Sequence, residues 1–150
     1  MYKIKPAQPS DARQIAACVT AAYQHYIERM GKKPGPMLDD YASMIANHGV
    51  WVIREQDVVV GSLVLMKKDG WLLLDNVAVH PSYQGRGLGK RLCAFAETQA
   101  VASGFSEIRL YTHEVMVENV AIYQKMGYVE FERRHELGYA RIYMRKQLAM

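Results

Sequence analysis

The chain has no uninterrupted apolar run near the roughly 18 residues that a membrane-spanning helix needs, so no membrane association is expected. Cysteine is scarce. Its two copies, Cys18 and Cys93, fall at apolar positions of helix-like segments, which reads as small core residues in a reducing compartment rather than a disulfide or a nucleophile. The first residues, MYKIKPAQPSDARQ, carry charges with no apolar segment behind them; they do not look like a signal peptide, and a cytoplasmic location is expected. Internal repeats, low-complexity tracts and linkers are also missing from the 150 residues, so one domain over 1–150 is expected. Disorder is excluded by composition, with half the residues apolar and 23% charged. The net charge of +4 favours anionic partners, yet the basic residues are scattered, so no nucleic-acid surface is expected. No metal site is expected either.

What is present is a changing hydrophobic period. Lys3-Ile4-Lys5 alternates as a short strand, and Pro9-Ser10-Asp11 opens a helix with Ile15, Cys18, Val19, Ala22 and Tyr26 at helical spacing. Gly31-Lys32-Lys33-Pro34-Gly35-Pro36 is a loop, since neither a helix nor a central strand tolerates it. Leu38, Tyr41, Met44 and Ile45 mark a second, short helix that ends near Gly49. Val50 to Arg54, Val58 to Met66 and Trp71 to Val79 read as three strands of an antiparallel meander. Gly87 to about Ser103 is helical, Glu107 to Thr112 a strand, and Val117 to Met126 a helix stopped by Gly127. Tyr128 to His135 and Tyr139 to Lys146 form a hairpin around Leu137-Gly138. The order β-α-α-β-β-β-α-β-α-β-β, with one crossover unit, predicts an α/β chain: a mixed (α+β) sheet with helices on both faces.

The most informative stretch is NVAVHPSYQGRGLGKRLCAF, Asn76 to Phe95. Gly85, Gly87 and Gly89 sit where a strand turns into a helix, with Gln84, Arg86, Lys90 and Arg91 around them. A helix start offers unpaired N–H groups and a partial positive charge, and glycine lets the backbone approach an anion with φ > 0. The guest that suits this loop is a pyrophosphate. A mononucleotide P-loop would need glycine where Gln84 stands and Ser or Thr where Arg91 stands, so that motif fails twice. The dinucleotide fingerprint GxGxxG fails as well, because the spacing here is GxGxG and a meander precedes it.

The remaining pattern, Q-x-x-G-x-G at Gln84, Gly87 and Gly89 after the strand Asn76-Val77-Ala78-Val79, closely resembles the acetyl-CoA loop of the GCN5-related N-acetyltransferase (GNAT) superfamily. Downstream, Tyr123, Gly127 and Tyr128 are similar to that superfamily's Y-x-x-x-G-[FY] motif. The resemblance implies a GNAT fold whose two central parallel strands splay into a cleft. It implies acetyl-CoA or CoA as co-substrate, with main-chain groups of Val77, Ala78 and Val79 pairing to the pantetheine arm. The diphosphate would rest on Gln84, Gly85, Arg86, Gly87, Leu88, Gly89 and Lys90, with Arg86 or Lys90 adding a charge-assisted contact. Asn119 would bond the pantetheine or an ordered water, or else cap its helix. Dimers are common among members, so the resemblance allows a homodimer.

Acetyl transfer to an amine needs a neutral nucleophile and a proton for the departing thiolate. An alkyl ammonium is neutral about once in a thousand at pH 7, a cost of roughly 4–5 kcal/mol, so a base must help. Tyr123 stands at the family's acid position. The positions where relatives carry a glutamate base are Leu73 and Tyr111 here, and Met116 stands where a pantetheine-binding asparagine would be. Asp75, on the strand face of Leu73, is the first candidate for base or amine anchor, and His113 is the second. Acceptor choice would fall to Tyr23, Tyr26, Glu28, Arg29, Pro34 and Met37 with Arg133, Arg134, Tyr139, Arg141 and Tyr143. These suggest a modest pocket for an amine that also bears a carboxylate or phosphate. The reading is a small-molecule N-acetyltransferase working by direct transfer. The alternatives are a protein or peptide acetyltransferase and a non-catalytic acyl-CoA-binding module.

Overall fold

The structure, a computed structural model, describes residues 2–148. Strand β1 (Ile4–Pro6) leads into helices α1 (Ala12–Tyr23), α2 (Tyr26–Met30) and α3 (Tyr41–Asn47). Strands β2 (Gly49–Glu55), β3 (Val58–Lys67) and β4 (Leu72–Val79) follow, then helix α4 (Leu88–Ala102), strand β5 (Glu107–His113), helix α5 (Val117–Lys125), and strands β6 (Val129–Glu136) and β7 (Tyr139–Gln147). One helix more is present than the sequence pattern predicts, because α1 stops at Tyr23 and Tyr26 begins α2. Gln24 (φ −59°, ψ −28°) and His25 (φ −68°, ψ −15°) stay close to helical angles, so the apolar period runs through the break without marking it. Gly31, at φ 75°, then ends α2, its N–H reaching the Ile27 carbonyl at 2.8 Å.

The seven strands form a single sheet in the order β1-β2-β3-β4-β5-β7-β6, antiparallel except where β4 meets β5. The last hairpin turns at Leu137 and Gly138, both at positive φ, and inserts β7 beside β5. Each sheet face carries its own core. On one, Leu92, Cys93, Ala96 and Ala100 of α4 pack on Leu74, Ile108, Leu110 and Met144. On the other, Ile15, Cys18 and Val19 of α1 and Tyr41 of α3 pack on Val50, Val52 and Val64. A fully buried Leu, Ile or Val contributes about 1.5–3 kcal/mol, so these two layers hold the sheet rigid beneath whatever is built along its edges. Among the described residues, no helix is long and apolar enough to cross a membrane.

Two irregularities of β4 shape the middle of the sheet. Leu65 opposes Leu74 while Val64 opposes Asn76, so Asp75 is an extra residue, a bulge. Before it, Leu72 and Leu74 face α4; after it Val77 and Val79 do, while Ala78 faces α1. Asp75 and Asn76 both turn to the α1–α3 side, where Tyr111 and Tyr41 meet them. The second irregularity is the short reach of the parallel ladder. Pairing between β4 and β5 covers only Leu72–Ile108, Leu73–Arg109 and Leu74–Leu110. Beyond Leu74 the two strands splay, and a cleft opens.

Candidate active site

The cleft wall is built from backbone. His80 donates its N–H to the Val60 carbonyl at 2.9 Å, which sets the alternation so that Ala78 and Asn76 pair with β3. Val77 and Val79 therefore turn their N–H and C=O groups into the cleft, as the resemblance implies. Their carbonyls are not free, however. Tyr23 donates its hydroxyl to the Val77 oxygen at 3.0 Å, and the Gln84 amide reaches the Val79 oxygen at 3.3 Å. An arriving amide would have to share or displace these two donors. Ala78, by contrast, pairs with Ser62 of β3, so its main chain is not available to the pantetheine as the resemblance implied; Leu88, its side chain buried, offers the cleft its helix-start amide.

Beyond Val79 the chain makes a tight turn, Pro81–Tyr83, and reaches the glycines. Gly85 (φ 80°) and Gly87 (φ 78°) lie in the left-handed region, and a Cβ on either would meet nothing within 4 Å. So the conformation, not crowding, demands glycine there, and the space above the loop is open. Gly87 caps α4, whose first free amides belong to Leu88, Gly89 and Lys90. Lys90 lines the cleft. Arg86 does not: it donates to the Tyr2 hydroxyl at 2.5 Å and stacks 4.8 Å over the Tyr83 ring. Of Arg86, Lys90 and Arg91 around the loop, only Lys90 lines the cavity, which encloses about 720 Å³.

Tyr123 closes the inner end of this cleft. Gly127, at φ 98°, ends α5 and returns the chain so that Tyr128 packs edge-on against the Tyr123 ring at 5.8 Å. The two tyrosines of the motif thus hold each other. Burial, with Tyr23 and Cys93 nearby, pushes the Tyr123 phenol well above its ordinary pKa, so it stays protonated. Asn119, one turn earlier, is no helix cap: Met116 is, and Asn119 Nδ2 lies 3.6 Å from Met116 Sδ. Cys93 is buried and its thiol is pushed up to about 12, a weak nucleophile. Glu118 on α5 lines the cleft and forms a two-bond pair with Arg29 on α2, at 2.7 and 2.8 Å.

A smaller chamber of about 50 Å³ adjoins the cleft on the α1–α3 side, and Tyr23, Val77, Asn119 and Tyr123 line both. Asp75 lies in its wall, with the Tyr111 hydroxyl donating to it at 3.3 Å. Burial raises the Asp75 pKa against the lowering pull of Tyr111 and Arg141. Asp39 stands close by. Burial first, then the charge of Asp75, pushes its carboxyl up to about 6. His113 also lines the chamber, but Val115 N–H lies 3.2 Å from its Nδ1 and Ala140 N–H 3.3 Å from its Nε2. A neutral imidazole has one lone pair, so the main chain competes for it from both sides, and burial lowers its pKa.

Of the residues read as shaping acceptor choice, Tyr23, Tyr139 and Arg141 line the chamber. Arg133 and Arg134 do not; they pair with Glu130 and Glu132 on the exposed edge strand β6. The loop before α3 forms the roof: Lys32 donates to the Gly138 carbonyl, and Tyr139 OH to the Lys33 carbonyl at 2.6 Å.

Comparison with known proteins decides the family. A family model described as an acetyltransferase (GNAT) domain matches residues 46–130, from the end of α3 through α5 to the start of β6. The chain belongs to the GNAT acetyltransferase family. Among curated relatives of this GNAT chain, the uncharacterized N-acetyltransferase YjgM of Escherichia coli (strain K12) is 28% identical over 126 residues, covering 80% of this chain and 75% of that one. The ribosomal-protein-S18-alanine N-acetyltransferase from Escherichia coli superposes with a TM-score of 0.80 at 17% identity, covering 100% of this chain and 96% of that one. The PaiA N-acetyltransferase from Thermoplasma acidophilum, solved with coenzyme A, gives 0.79 at 16% identity, with 98% and 99% covered. At such identities the structures share the fold and no more.

Two polar groups escape the sequence reading: Asn76, which lines the GNAT chain's chamber, and Asp39, which is not in its wall but feels the charge of Asp75. Asp39 precedes Asp40, which takes the α3 cap by accepting from the Ser43 N–H at 3.2 Å; the pair looks like ordinary capping residues. Asn76 looks like a strand residue among valines. The bulge at Asp75 turns it to the chamber, and nothing local in the strand says where a bulge falls.

Proposed function

We propose that the chain transfers an acetyl group from acetyl-CoA to the primary amine of a small molecule, directly and without an acyl-enzyme. The observation that carries this reading is the shared wall: the glycine-loop cleft and the carboxyl-bearing chamber meet at Tyr23, Val77, Asn119 and Tyr123. The cleft fits the co-substrate in three respects. Its loop amides open onto free space, Lys90 faces in, and the Val77–Val79 edge can take up an extended amide chain as an added strand does.

In the reaction, the amine nitrogen forms a bond to the thioester carbonyl carbon, the carbon–sulfur bond breaks, and the sulfur leaves as thiolate. Asp75 takes the proton that the nitrogen must lose; its raised pKa makes it a stronger base than an exposed aspartate. A free thiol has a pKa of about 8.5, below that of Tyr123, so complete proton transfer from the phenol to sulfur runs uphill. Tyr123 therefore serves as a hydrogen-bond donor that stabilises the departing thiolate, and the net proton comes from the amine. His113 is the weaker candidate for base, because its lone pair is already contested. The small, roofed chamber favours a metabolite-sized acceptor over a folded protein's side chain.

The test is release of free CoA from acetyl-CoA across amino acids, polyamines, aminoglycosides and peptides, beside calorimetry with CoA alone. CoA uptake with release confined to small amines supports the reading. No uptake of CoA at millimolar concentration would overturn it, and uptake without turnover of any amine would leave a binding module.

A further inference from the structure

In a regular strand neighbouring side chains point to opposite faces, so two consecutive residues share a side only at a bulge. The bulge in β4 does this for Asp75 and Asn76, and both line the chamber. Val77, the next residue, belongs to the wall shared with the cofactor cleft, so the pair lies beside the place where the two cavities join. Asp75 is the proposed base; Asn76 plays no part in that scheme.

Asn76 is 3% exposed, and its neighbours fix which way its amide is turned. The buried Tyr41 hydroxyl donates its single proton to the Pro36 carbonyl at 2.7 Å. Toward Asn76 that hydroxyl can only accept, so Nδ2 is the end that stands 2.6 Å from it and Oδ1 lies at the other end. Oδ1 has no partner among the described residues. Three tyrosine hydroxyls in the chamber wall have already committed their protons. Tyr23 donates to the Val77 carbonyl, Tyr111 to Asp75, and Tyr139 to the Lys33 carbonyl. A buried oxygen without a donor is costly, and the donor it lacks comes from what enters the chamber.

The occupant is not an anion. Oδ1 and the Asp75 carboxylate both accept hydrogen bonds, and neither pairs with a further acceptor. Arg141, the one arginine or lysine lining the chamber among the described residues, donates to Glu136 at 2.7 Å, and Glu136 also accepts from the Tyr143 hydroxyl at 2.5 Å. An incoming carboxylate would have to break that pair, so the carboxylate-bearing acceptor suggested by the cations of the sequence is disfavoured by their arrangement.

We propose that Asn76 Oδ1 accepts the N–H that the attacking nitrogen keeps while Asp75 takes the proton that it loses, so that the chamber selects a primary amine over its N-methyl counterpart. This rests on the acetyltransferase reading and adds a specificity-determining residue to it. As the nitrogen bonds to the thioester carbon, positive charge develops on it and both N–H groups become stronger donors. One proton passes to Asp75, the carbon–sulfur bond breaks and the thiolate leaves. The second hydrogen stays on the nitrogen of the product amide, held by Oδ1. That bond strengthens as charge develops, so it acts on the chemical step and not on binding alone. An N-methyl amine has a single N–H. It leaves one of the two acceptors without a donor and sets a methyl group against it.

Propylamine and N-methylpropylamine differ in this respect and share the alkyl chain. Their kcat/KM values from initial CoA release would be measured for the wild type, Asn76→Leu and Tyr41→Phe. Leucine matches asparagine in shape and carries no acceptor. Tyr41→Phe keeps Asn76 and removes the hydroxyl that fixes its amide, which can then turn its NH2 group the other way. The wild type should prefer propylamine by at least about tenfold. That preference should fall about tenfold in Asn76→Leu, and in the same direction in Tyr41→Phe, as loss of one hydrogen bond to a developing charge implies. A purely structural role for Asn76 would slow both amines alike and leave the preference unchanged. Equal values in the wild type, or a preference that survives Asn76→Leu, would overturn the proposal with acetyl transfer intact. If Asn76→Leu does not fold, the ratio in Tyr41→Phe decides instead. Should neither amine release CoA, calorimetric uptake of the two by the CoA-loaded proteins decides in the same way, and uptake of neither overturns the proposal. A wild type that takes up no CoA overturns the acetyltransferase reading, and this inference with it.

Discussion

The two ends of the active-site cleft are made of different material. The end toward α4 is main chain: glycines with positive φ, free helix amides and the turned-out edge of Val77 and Val79. The end toward α3 and β7 is side chain: Asp75, Asn76, Tyr111 and Arg141, brought from three separate strands. A backbone site needs few residue identities, but it needs them at fixed spacing. A side-chain site tolerates many identities and depends on where the fold delivers them. In the proposed reaction the first would bind the constant cofactor arm and the second the variable acceptor.

The sharpest way to break this comparison is at the point where the two ends meet. Tyr123→Phe removes one oxygen and keeps the ring that packs on Tyr128. We expect kcat to fall about 10²–10³-fold, as loss of one hydrogen-bond donor to a developing anion does, with CoA affinity unchanged by calorimetry. A fall in affinity with kcat intact would show that Tyr123 belongs to the cofactor end only. Next in size is Gly87→Val, which acts on the main-chain end alone. A left-handed conformation costs a residue with a Cβ about 1–2 kcal/mol, and a branched side chain would also enter the open space over the loop. Acetyl-CoA should bind roughly ten- to thirtyfold more weakly, with the acceptor KM held. If the acceptor KM moves as far, the two ends are not separable.

The pH profile tests the side-chain end. Burial raises the Asp75 pKa, so its charged, proton-accepting form persists only above the ordinary carboxylate range near 3.9. The acid limb of kcat/KM should accordingly lie above that range, and Asp75→Asn should flatten it while lowering the rate. Survival of the limb in that variant would move the base elsewhere, with Asp39, pushed up to about 6, the first to examine.

The same contrast explains what could be read from the chain. The glycine loop, the Tyr123–Gly127–Tyr128 turn, the meander and the closing hairpin all announce themselves locally, through φ > 0 positions and hydrophobic period. The splaying of β4 and β5 comes through resemblance alone, since nothing local in either strand says where pairing stops. The acceptor end was legible in part. Asp75, Tyr23, Tyr139 and Arg141 come out in place, but their partners do not. Nothing near Arg141 indicates that Glu136, across the hairpin turn, neutralises it, and nothing in Asp39-Asp40 separates the helix cap from the carboxyl that feels the charge of Asp75. Arg86 misleads for the same reason: its partner, Tyr2, lies 84 residues away.

The smallest expected effect is one of stability. Asp39 is raised by burial to about 6, above its unfolded value near 3.8. A carboxyl with a raised folded pKa favours folding in its protonated form, so its contribution is intact below pH 3.8 and is lost as pH climbs through 6. At pH 7.5 the folded chain therefore carries a charged group that it would hold more comfortably neutral. Asp39→Asn should raise the melting temperature there by a few degrees at most, because a half-exposed carboxyl is well screened, and should give no gain near pH 3.5. A gain of equal size at both pH values would mean that the charge is not the cause. A main-chain site carries no such penalty, since free helix amides are solvated when nothing is bound; a partly buried carboxyl that feels the charge of Asp75 carries it whenever it is ionised.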